Sequence, residues 1–159
     1  MTPEDLIAHY GLEPIPSEGG LFRQTWAGPE RSDGRPEGTA IVALLTEGDF
    51  SALHRLPTDE IWHFYRGDPL DLLLLAQDGT TRTVVLGPDV LNGQHVQFTV
   101  PAGTWMGGRV RGAGQWTLFG CTMAPGFTFD GYEHGDAAEL TARYPAVADE
   151  IARLSRPAS

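Results

Sequence analysis

One histidine and one glutamate are the residues of this sequence best suited to proton-transfer chemistry. His54 and Glu60 lie on two strand-like segments separated by a break at residues 57–59. Side chains alternate along a strand, so a hairpin formed by these segments would place both side chains together inside a barrel. A histidine beside a carboxylate is typical of a general base with an orienting partner.

Both residues also have a structural interpretation, because a lone strand histidine more often serves packing than chemistry. Glu60 is costly to bury without a partner, and the alternative is a solvent-exposed carboxylate at the edge of the turn. His63 is three residues from Glu60, and this odd separation predicts the opposite sheet face. We therefore predict a surface or subunit-contact role for His63 rather than a third ligand.

Aromatic and polar side chains on neighbouring strands are predicted to form a pocket around the pair. Trp62 and Phe64 share the face of Glu60 by strand alternation. Phe22 shares the face of Gln24 on an earlier segment. Most strand aromatics fill a core, but inward aromatics around a few polar groups also line ligand pockets. The predicted substrate-binding residues are Phe22, Gln24, Trp62, Phe64 and Met106.

The elements that must position these residues are short strands, with helices at both ends of the chain. The predicted strands are 21–27, 39–46, 50–56, 60–65, 70–75, 81–86, 95–100, 104–110 and 115–123. This spacing, with tight-turn residues between strands, predicts an all-β sandwich or jelly-roll barrel. A helix capped by Thr2 and ended by Gly11 precedes the barrel, which spans about 20–130. Helices are predicted over 136–154, broken near Tyr144-Pro145, followed by a disordered tail at 156–159.

The spacing around His54 resembles the first motif of the cupins, G-x5-H-x-H-x3-E-x6-G. Gly48, His54, Glu60 and Gly67 match it, while Leu56 stands at the second histidine position. The resemblance implies a double-stranded β-helix, the cupin jelly roll.

The second cupin motif, G-x5–7-P-x-G-x2-H-x3-N, is partly matched. Gly93, Pro101 and Gly103 fit it, but Met106 stands at the histidine position. The stretches EGGLFRQTW, DEIWHFY, VPAGTW and GCTMAPGF are similar to a cupin branch whose members mostly lack an assigned function. This resemblance covers residues 10–145, and related cupins epimerise nucleotide-linked keto-sugars with a histidine base.

A metal cofactor is not predicted, because the resemblance leaves only His54 and Glu60 as ligands. Catalytic zinc or non-haem iron usually needs three protein ligands, and the Met106 thioether is a weak substitute for imidazole. If a metal is bound, His54 and Glu60 are the residues that would hold it.

Composition excludes several classes of function. The net charge of -10 and pI near 4.7 argue against nucleic acid as a partner. All eleven basic residues are arginines, so Schiff-base chemistry and a P-loop lysine are excluded. The single cysteine, Cys121, is predicted to be a buried reduced thiol. No apolar run is long enough for a membrane span, so we expect a cytoplasmic protein forming one domain over 1–159.

Three hypotheses for function follow. The first is a metal-independent epimerase, isomerase or lyase that uses His54 as base on a sugar-like or other small polar substrate. The second is a ligand-binding or sensor cupin without catalysis. The third is a metal-dependent cupin with a reduced ligand set. We also expect a homodimer, formed through sheet faces bearing His63, Tyr65 and Leu53 or through an exchanged N-terminal strand.

Overall fold

Two antiparallel sheets face each other in the computed structural model, which describes residues 1–156. The strands are β1 (Glu13–Pro14), β2 (Leu21–Ala27), β3 (Thr39–Thr46), β4 (Ser51–Arg55), β5 (Glu60–Gly67), β6 (Leu70–Leu75), β7 (Thr81–Leu86), β8 (Gln97–Val100), β9 (Trp105–Val110), β10 (Trp116–Met123) and β11 (Glu133–His134). The six-stranded sheet has the order β1-β2-β3-β10-β5-β8, and the five-stranded sheet has the order β11-β4-β9-β6-β7. The all-β jelly roll predicted from strand spacing is confirmed.

The N-terminal helix α1 (Pro3–Tyr10) begins and ends where its sequence signals predict. The Thr2 hydroxyl accepts from the Asp5 N–H at 3.1 Å, and the Asp5 carboxylate accepts from the Thr2 N–H at 2.8 Å. Gly11 ends the helix with a φ of 65°, which few other residues adopt. The helix packs on the outer face of the six-stranded sheet, with Leu6 against Leu44 of β3.

Two further helices, α2 (Ala137–Arg143) and α3 (Ala148–Arg153), cover the five-stranded sheet from outside. The predicted break falls at Tyr144, whose buried hydroxyl donates to the Ala76 carbonyl at 2.6 Å. These helices cover and bury Leu53, so this face is not available for the dimer contact expected there. None of the helices within residues 1–156 is long and apolar enough to cross a membrane.

The prediction that residues 156–159 are disordered is wrong for Arg156. The Arg156 guanidinium donates to the Asp49 carboxylate at 3.2 Å and to the Phe50 carbonyl at 2.8 Å. The remainder of that prediction, residues 157–159, lies outside the described residues.

The hairpin predicted for β4 and β5 does not form, because these strands belong to opposite sheets. β4 pairs with β9 and β11, whereas β5 pairs with β10 and β8. Two hydrogen bonds join the β4–β5 connection to the segment before β9. The Gly103 N–H donates to the Leu56 carbonyl at 2.9 Å, and the Asp59 carboxylate accepts from the Ala102 N–H at 2.8 Å. His54 and Glu60 therefore face each other across the space between the sheets instead of standing side by side.

β2 is supported on its outer side only at its beginning. β1 pairs with β2 at Leu21 and Phe22 alone, so the remainder of β2 is an open sheet edge. The register to β3 also shifts between Gln24 and Trp26. Gln24 is consequently exposed, and Trp26 is 54% exposed rather than directed inward.

Candidate functional site

A narrow cavity between the sheets contains both residues singled out for chemistry. His54 from the five-stranded sheet and Glu60 from the six-stranded sheet line it together with Trp62 and Phe22. Counted as the space open to the centre of a water molecule, its volume is about 40 Å³. One buried water needs about 10–15 Å³ on this scale, so the cavity holds a ligand of only a few non-hydrogen atoms.

The His54 imidazole is buried and held in a defined tautomer. Its Nδ1 lies 2.7 Å from the Ala52 carbonyl oxygen, which can only accept, so Nδ1 carries a proton. The other nitrogen, Nε2, lies 3.6 Å from Oε1 of Glu18. In the neutral ring the free lone pair is therefore on Nε2, the nitrogen that faces the Glu18 carboxylate.

A chain of hydrogen bonds supports one face of the His54 ring. The Tyr132 ring stacks on it, with centroids 5.2 Å apart. The Tyr132 hydroxyl lies 2.9 Å from His134 Nδ1, and His134 Nε2 lies 2.5 Å from the Arg156 carbonyl oxygen. Since that carbonyl only accepts, His134 donates from Nε2 and accepts from Tyr132 when its ring is neutral. The segment after α3 thus helps to fix the orientation of His54.

Glu18 is the functional residue that the sequence reasoning missed. It lies in the loop before β2, where the Ser51 hydroxyl donates to Oε2 at 2.7 Å and the Ala52 N–H donates to the Glu18 carbonyl at 2.8 Å. A Cβ on the next residue, Gly19, would lie 2.5 Å from the Phe50 carbonyl oxygen, so only glycine allows this close approach. The Glu-Gly-Gly sequence was the available signal for a loop that enters the site.

Burial dominates the acid–base behaviour of Glu60. The side chain is 7% exposed, and no basic side chain within residues 1–156 forms an ion pair with it. Burial, and secondarily the negative charge of Glu18, raises the pKa of Glu60 to about 8. The Trp62 indole has a smaller opposing effect. The Glu60 carboxyl is therefore mostly protonated at neutral pH and can donate a hydrogen bond.

Trp62 and Cys121 form much of the wall near Glu60. Trp62 stacks on Phe119 with ring centroids 5.1 Å apart. The Trp62 indole N–H is buried, and although it lies near enough to Glu60 to influence its pKa, it forms no hydrogen bond of normal geometry with a described residue. Burial and the nearby carboxyls raise the pKa of the Cys121 thiol, so it stays protonated and unreactive, as its apolar context predicts.

The mouth of the cavity is bordered by an aromatic segment after β10. Phe127 and Phe129 line the cavity and pack edge to face, with centroids 5.0 Å apart. The Phe127 N–H donates to the Thr39 hydroxyl at 2.8 Å, and the Arg35 guanidinium donates to the Gly126 carbonyl at 2.6 Å. These bonds attach the segment to the loop before β3 and to the start of that strand.

Comparison with known proteins places this chain in a recognised family. A family profile described as "Cupin superfamily (DUF985)" matches residues 4–135. The chain belongs to the cupin superfamily. No curated protein matches the sequence.

Solved structures agree with this assignment. A Shewanella oneidensis protein is similar at 34% identity, with a TM-score of 0.92 and 99% of each chain covered. A hypothetical protein from Leishmania major is similar at 30% identity, with a TM-score of 0.89, covering 99% of this cupin and 100% of that chain. A Bacillus subtilis oxalate decarboxylase variant shares 17% identity and a TM-score of 0.55 over 91% of this cupin and 37% of that chain, which shows the fold alone.

The metal that the cupin fold implies does not fit the residues of this cavity. Leu56, at the second histidine position, is a buried apolar part of the wall, and Met106 is buried in the core. Within residues 1–156, no three His, Cys, Asp or Glu side chains are arranged to hold a metal ion. His54 is the only imidazole in the cavity wall formed by the described residues, and its Nδ1 is occupied by a backbone carbonyl.

Three predicted pocket residues lie elsewhere in this cupin. Gln24 is exposed at the open edge of β2, and neither Phe64 nor Met106 is part of the cavity wall. Phe64 and Met106 pack in the core behind that wall. The polar side chains predicted to meet in the pocket were Gln24, His54 and Glu60. In the structure Glu18 takes the place of Gln24.

His63 lies outside the pocket, as predicted, and so does Trp105. His63 is half-buried on the outer face of the six-stranded sheet, where its Nε2 lies 2.9 Å from the Thr122 hydroxyl. Trp105 packs beneath α2 and α3, with the Arg55 guanidinium 4.6 Å from its ring centroid.

Proposed function

We propose that this cupin binds a small polar carbonyl compound and moves a proton on the carbon next to the carbonyl group, without a metal. The reaction class is that of an epimerase, isomerase or lyase. One observation carries the proposal: a buried histidine of defined tautomer and a protonated buried carboxyl enter one cavity from opposite sheets. Groups with such different environments can serve as base and acid at the same pH.

In the proposed reaction, His54 Nε2 removes the proton from the carbon next to the carbonyl. Glu60 donates its proton to the carbonyl oxygen, which gives a neutral enol. The negative charge of Glu18, 3.6 Å from Nε2, stabilises the imidazolium that forms. Return of a proton to the same carbon, with the enol hydroxyl giving its proton back to Glu60, gives exchange or epimerisation. Where that carbon carries a hydroxyl, return of the proton to the neighbouring carbon with loss of that hydroxyl's proton gives isomerisation.

The dimensions of the cavity limit the substrate. A volume of about 40 Å³ is too small for a nucleotide-linked sugar and favours a carbonyl compound with a short carbon chain. A larger sugar-like substrate would require displacement of the aromatic segment 126–131 from the mouth.

A non-catalytic binding role is the second candidate. The wall is mostly apolar, with aromatic rings from both sheet and loop, as in many ligand pockets that perform no reaction. A measurement of catalytic turnover, rather than of ligand affinity, distinguishes this alternative from the first.

The decisive experiment is proton exchange in heavy water, followed by NMR on hydroxy- and amino-aldehydes and hydroxy- and amino-ketones of two to four carbons. We expect His54→Gln to abolish exchange while largely sparing binding, because it retains a hydrogen-bonding group but cannot transfer a proton. Glu60→Gln should slow exchange less steeply, because the amide still donates to the carbonyl oxygen. His9→Gln, on the exposed side of α1, is the matched control and should behave as wild type.

Exchange that survives His54→Gln would show that the base is assigned wrongly. Binding without exchange, with affinity altered in both cavity variants, would favour the non-catalytic role.

A further inference from the structure

Two carboxyl groups share the cavity without a permanent cation. Glu18 and Glu60 both line it, and no arginine is part of its wall in the portion of the chain that the structure describes. Two carboxylates in a mostly apolar cavity cannot both be ionised at low cost unless a positive charge lies between them. The protein supplies only His54, whose Nε2 is directed to Glu18.

Two arginines that contact segments bordering the cavity have other partners. Arg156 donates to Asp49 and to the Phe50 carbonyl, and its guanidinium lies 3.8 Å from the centroid of the Phe50 ring. Arg35 donates to the Gly126 carbonyl at the mouth. An anionic ligand would therefore meet two carboxyls and no guanidinium.

The remaining wall suits a small cation that also carries an oxygen atom. Phe22, Phe119 and Phe127 line the cavity, and the faces of aromatic rings attract ammonium groups. The Trp62 indole N–H, in a residue only 1% exposed, lies near Glu60 but has no hydrogen-bond partner of normal geometry within residues 1–156. A buried N–H without a partner costs about 1–3 kcal/mol, which an oxygen acceptor on a ligand would recover.

We propose that the ligand of this cavity carries a protonated amino group next to a hydroxyl or carbonyl oxygen. The ammonium group interacts with the Glu18 carboxylate, and the oxygen accepts from the Trp62 indole N–H and from the Glu60 carboxyl. This inference rests on the proposed function in taking the cavity as the ligand site, and it names the substrate class as small amino-carbonyl or amino-alcohol compounds. Carboxylic acids are excluded from that class.

Three probes of similar size and different charge test the inference: 2-aminoethanol, ethylene glycol and glycolate at neutral pH. The indole N–H signal of Trp62 in a nitrogen–proton correlation spectrum, assigned with Trp62→Phe, reports binding at the site itself. We expect 2-aminoethanol to bind about tenfold or more tightly than ethylene glycol, because the Glu18 carboxylate attracts its ammonium group in a site of low dielectric. Glycolate should cause no shift of the Trp62 signal.

Charge-removing variants identify the groups responsible. Glu18→Gln should weaken 2-aminoethanol binding by about tenfold, because the carboxylate that attracts the ammonium group is lost. Glu18→Ala should act in the same direction, which keeps the test intact if one variant folds poorly. Glu60→Gln, whose amide still donates to the ligand oxygen, should keep the preference for 2-aminoethanol over ethylene glycol. Glu139→Gln, at an exposed position of α2, is the matched control and should bind 2-aminoethanol as the wild type does.

Equal or tighter binding of ethylene glycol or glycolate would overturn the inference, as would unchanged 2-aminoethanol binding in both Glu18 variants or no response to any probe. Failure of this inference can be distinguished from failure of the proposed function. Ammonium-selective binding without proton exchange would contradict catalysis alone, and exchange on neutral carbonyl compounds without ammonium selectivity would contradict this inference alone.

Discussion

The Tyr132 ring lies almost parallel to the His54 ring, with 19° between their planes and 5.2 Å between their centroids. Tyr132 belongs to the segment after β10, and His54 belongs to β4, so the contact joins parts of the chain that are far apart in sequence. The hydrogen bonds from Tyr132 to His134 and from His134 to the Arg156 carbonyl extend this contact to the end of the described chain. The orientation of the proposed base thus depends on residues that take no part in the chemistry.

Tyr132→Phe tests this support directly. The variant keeps the stacked ring but leaves His134 Nδ1 without its donor, so we expect a loss of about 1 kcal/mol in the free energy of unfolding. Urea unfolding followed by tryptophan fluorescence measures this loss, with Tyr10→Phe on α1 as control. Unchanged stability of Tyr132→Phe would show that the hydrogen-bond chain contributes nothing.

Stability should decrease as the pH rises through the titration range of Glu60. The ordinary pKa of this carboxyl is 4.5, and the folded protein raises it to about 8. Between these values the folded state binds more protons than the unfolded state, so stability is full below pH 4.5 and is lost progressively up to about pH 8. The full effect of one such carboxyl is roughly 3–5 kcal/mol.

Glu60→Gln removes this titration and should be less sensitive to pH over the same range. Glu18, His54, Cys121 and Tyr132 are the other titratable groups around the cavity, and they remain in the variant. Urea unfolding at pH 5, 7 and 9 compares the two proteins. Parallel decreases in wild type and variant would show that Glu60 does not retain its proton in the folded state.

Metal content is expected to be substoichiometric in protein purified without a histidine tag. Leu56 and Met106 supply no imidazole, and the two remaining donors bind a metal weakly. Elemental analysis for iron, manganese, nickel and zinc provides the measurement. One tightly held metal per chain, absent from His54→Ala, would instead support a metal-dependent cupin.

We predict a homodimer formed through the outer face of the six-stranded sheet. His63 and Tyr65 stack on this face, with centroids 6.2 Å apart, and Tyr65 is 50% exposed. Sedimentation should give twice the chain mass of 17.2 kDa at micromolar concentration, and Tyr65→Glu should shift the protein towards the monomer by placing a charge in the interface. A single species at the chain mass in wild type would rule out the dimer.

Sequence reasoning succeeded where a local pattern determines the structure. The capping box at Thr2, the glycine stop at Gly11 and the break before Pro145 each depend on a few adjacent residues, and each is present. The strand spacing and the spacing of the cupin motif likewise predicted the jelly roll. The alternation along β5 correctly placed Glu60 and Trp62 on the inner face.

The errors concern relationships between distant segments. Alternation along β4 and β5 could not show that residues 57–59 carry the chain from one sheet to the other. Gln24 was misplaced because the short length of β1, which leaves β2 at an open edge, is not apparent from the β2 sequence. Glu18 was missed because a loop residue has no periodicity, and its approach to His54 depends on a glycine required by the Phe50 backbone.

The strand order has a consequence for the growing polypeptide on the ribosome. β3, with the sequence TAIVALLT, lies between β2 and β10 in the finished sheet, yet β10 is synthesised about 70 residues after β3. During that interval one side of β3 has unpaired N–H and C=O groups next to apolar side chains, which is the chemistry of intermolecular strand pairing. Nascent chains of this protein should therefore depend on chaperones, and most strongly when translation pauses before residue 116.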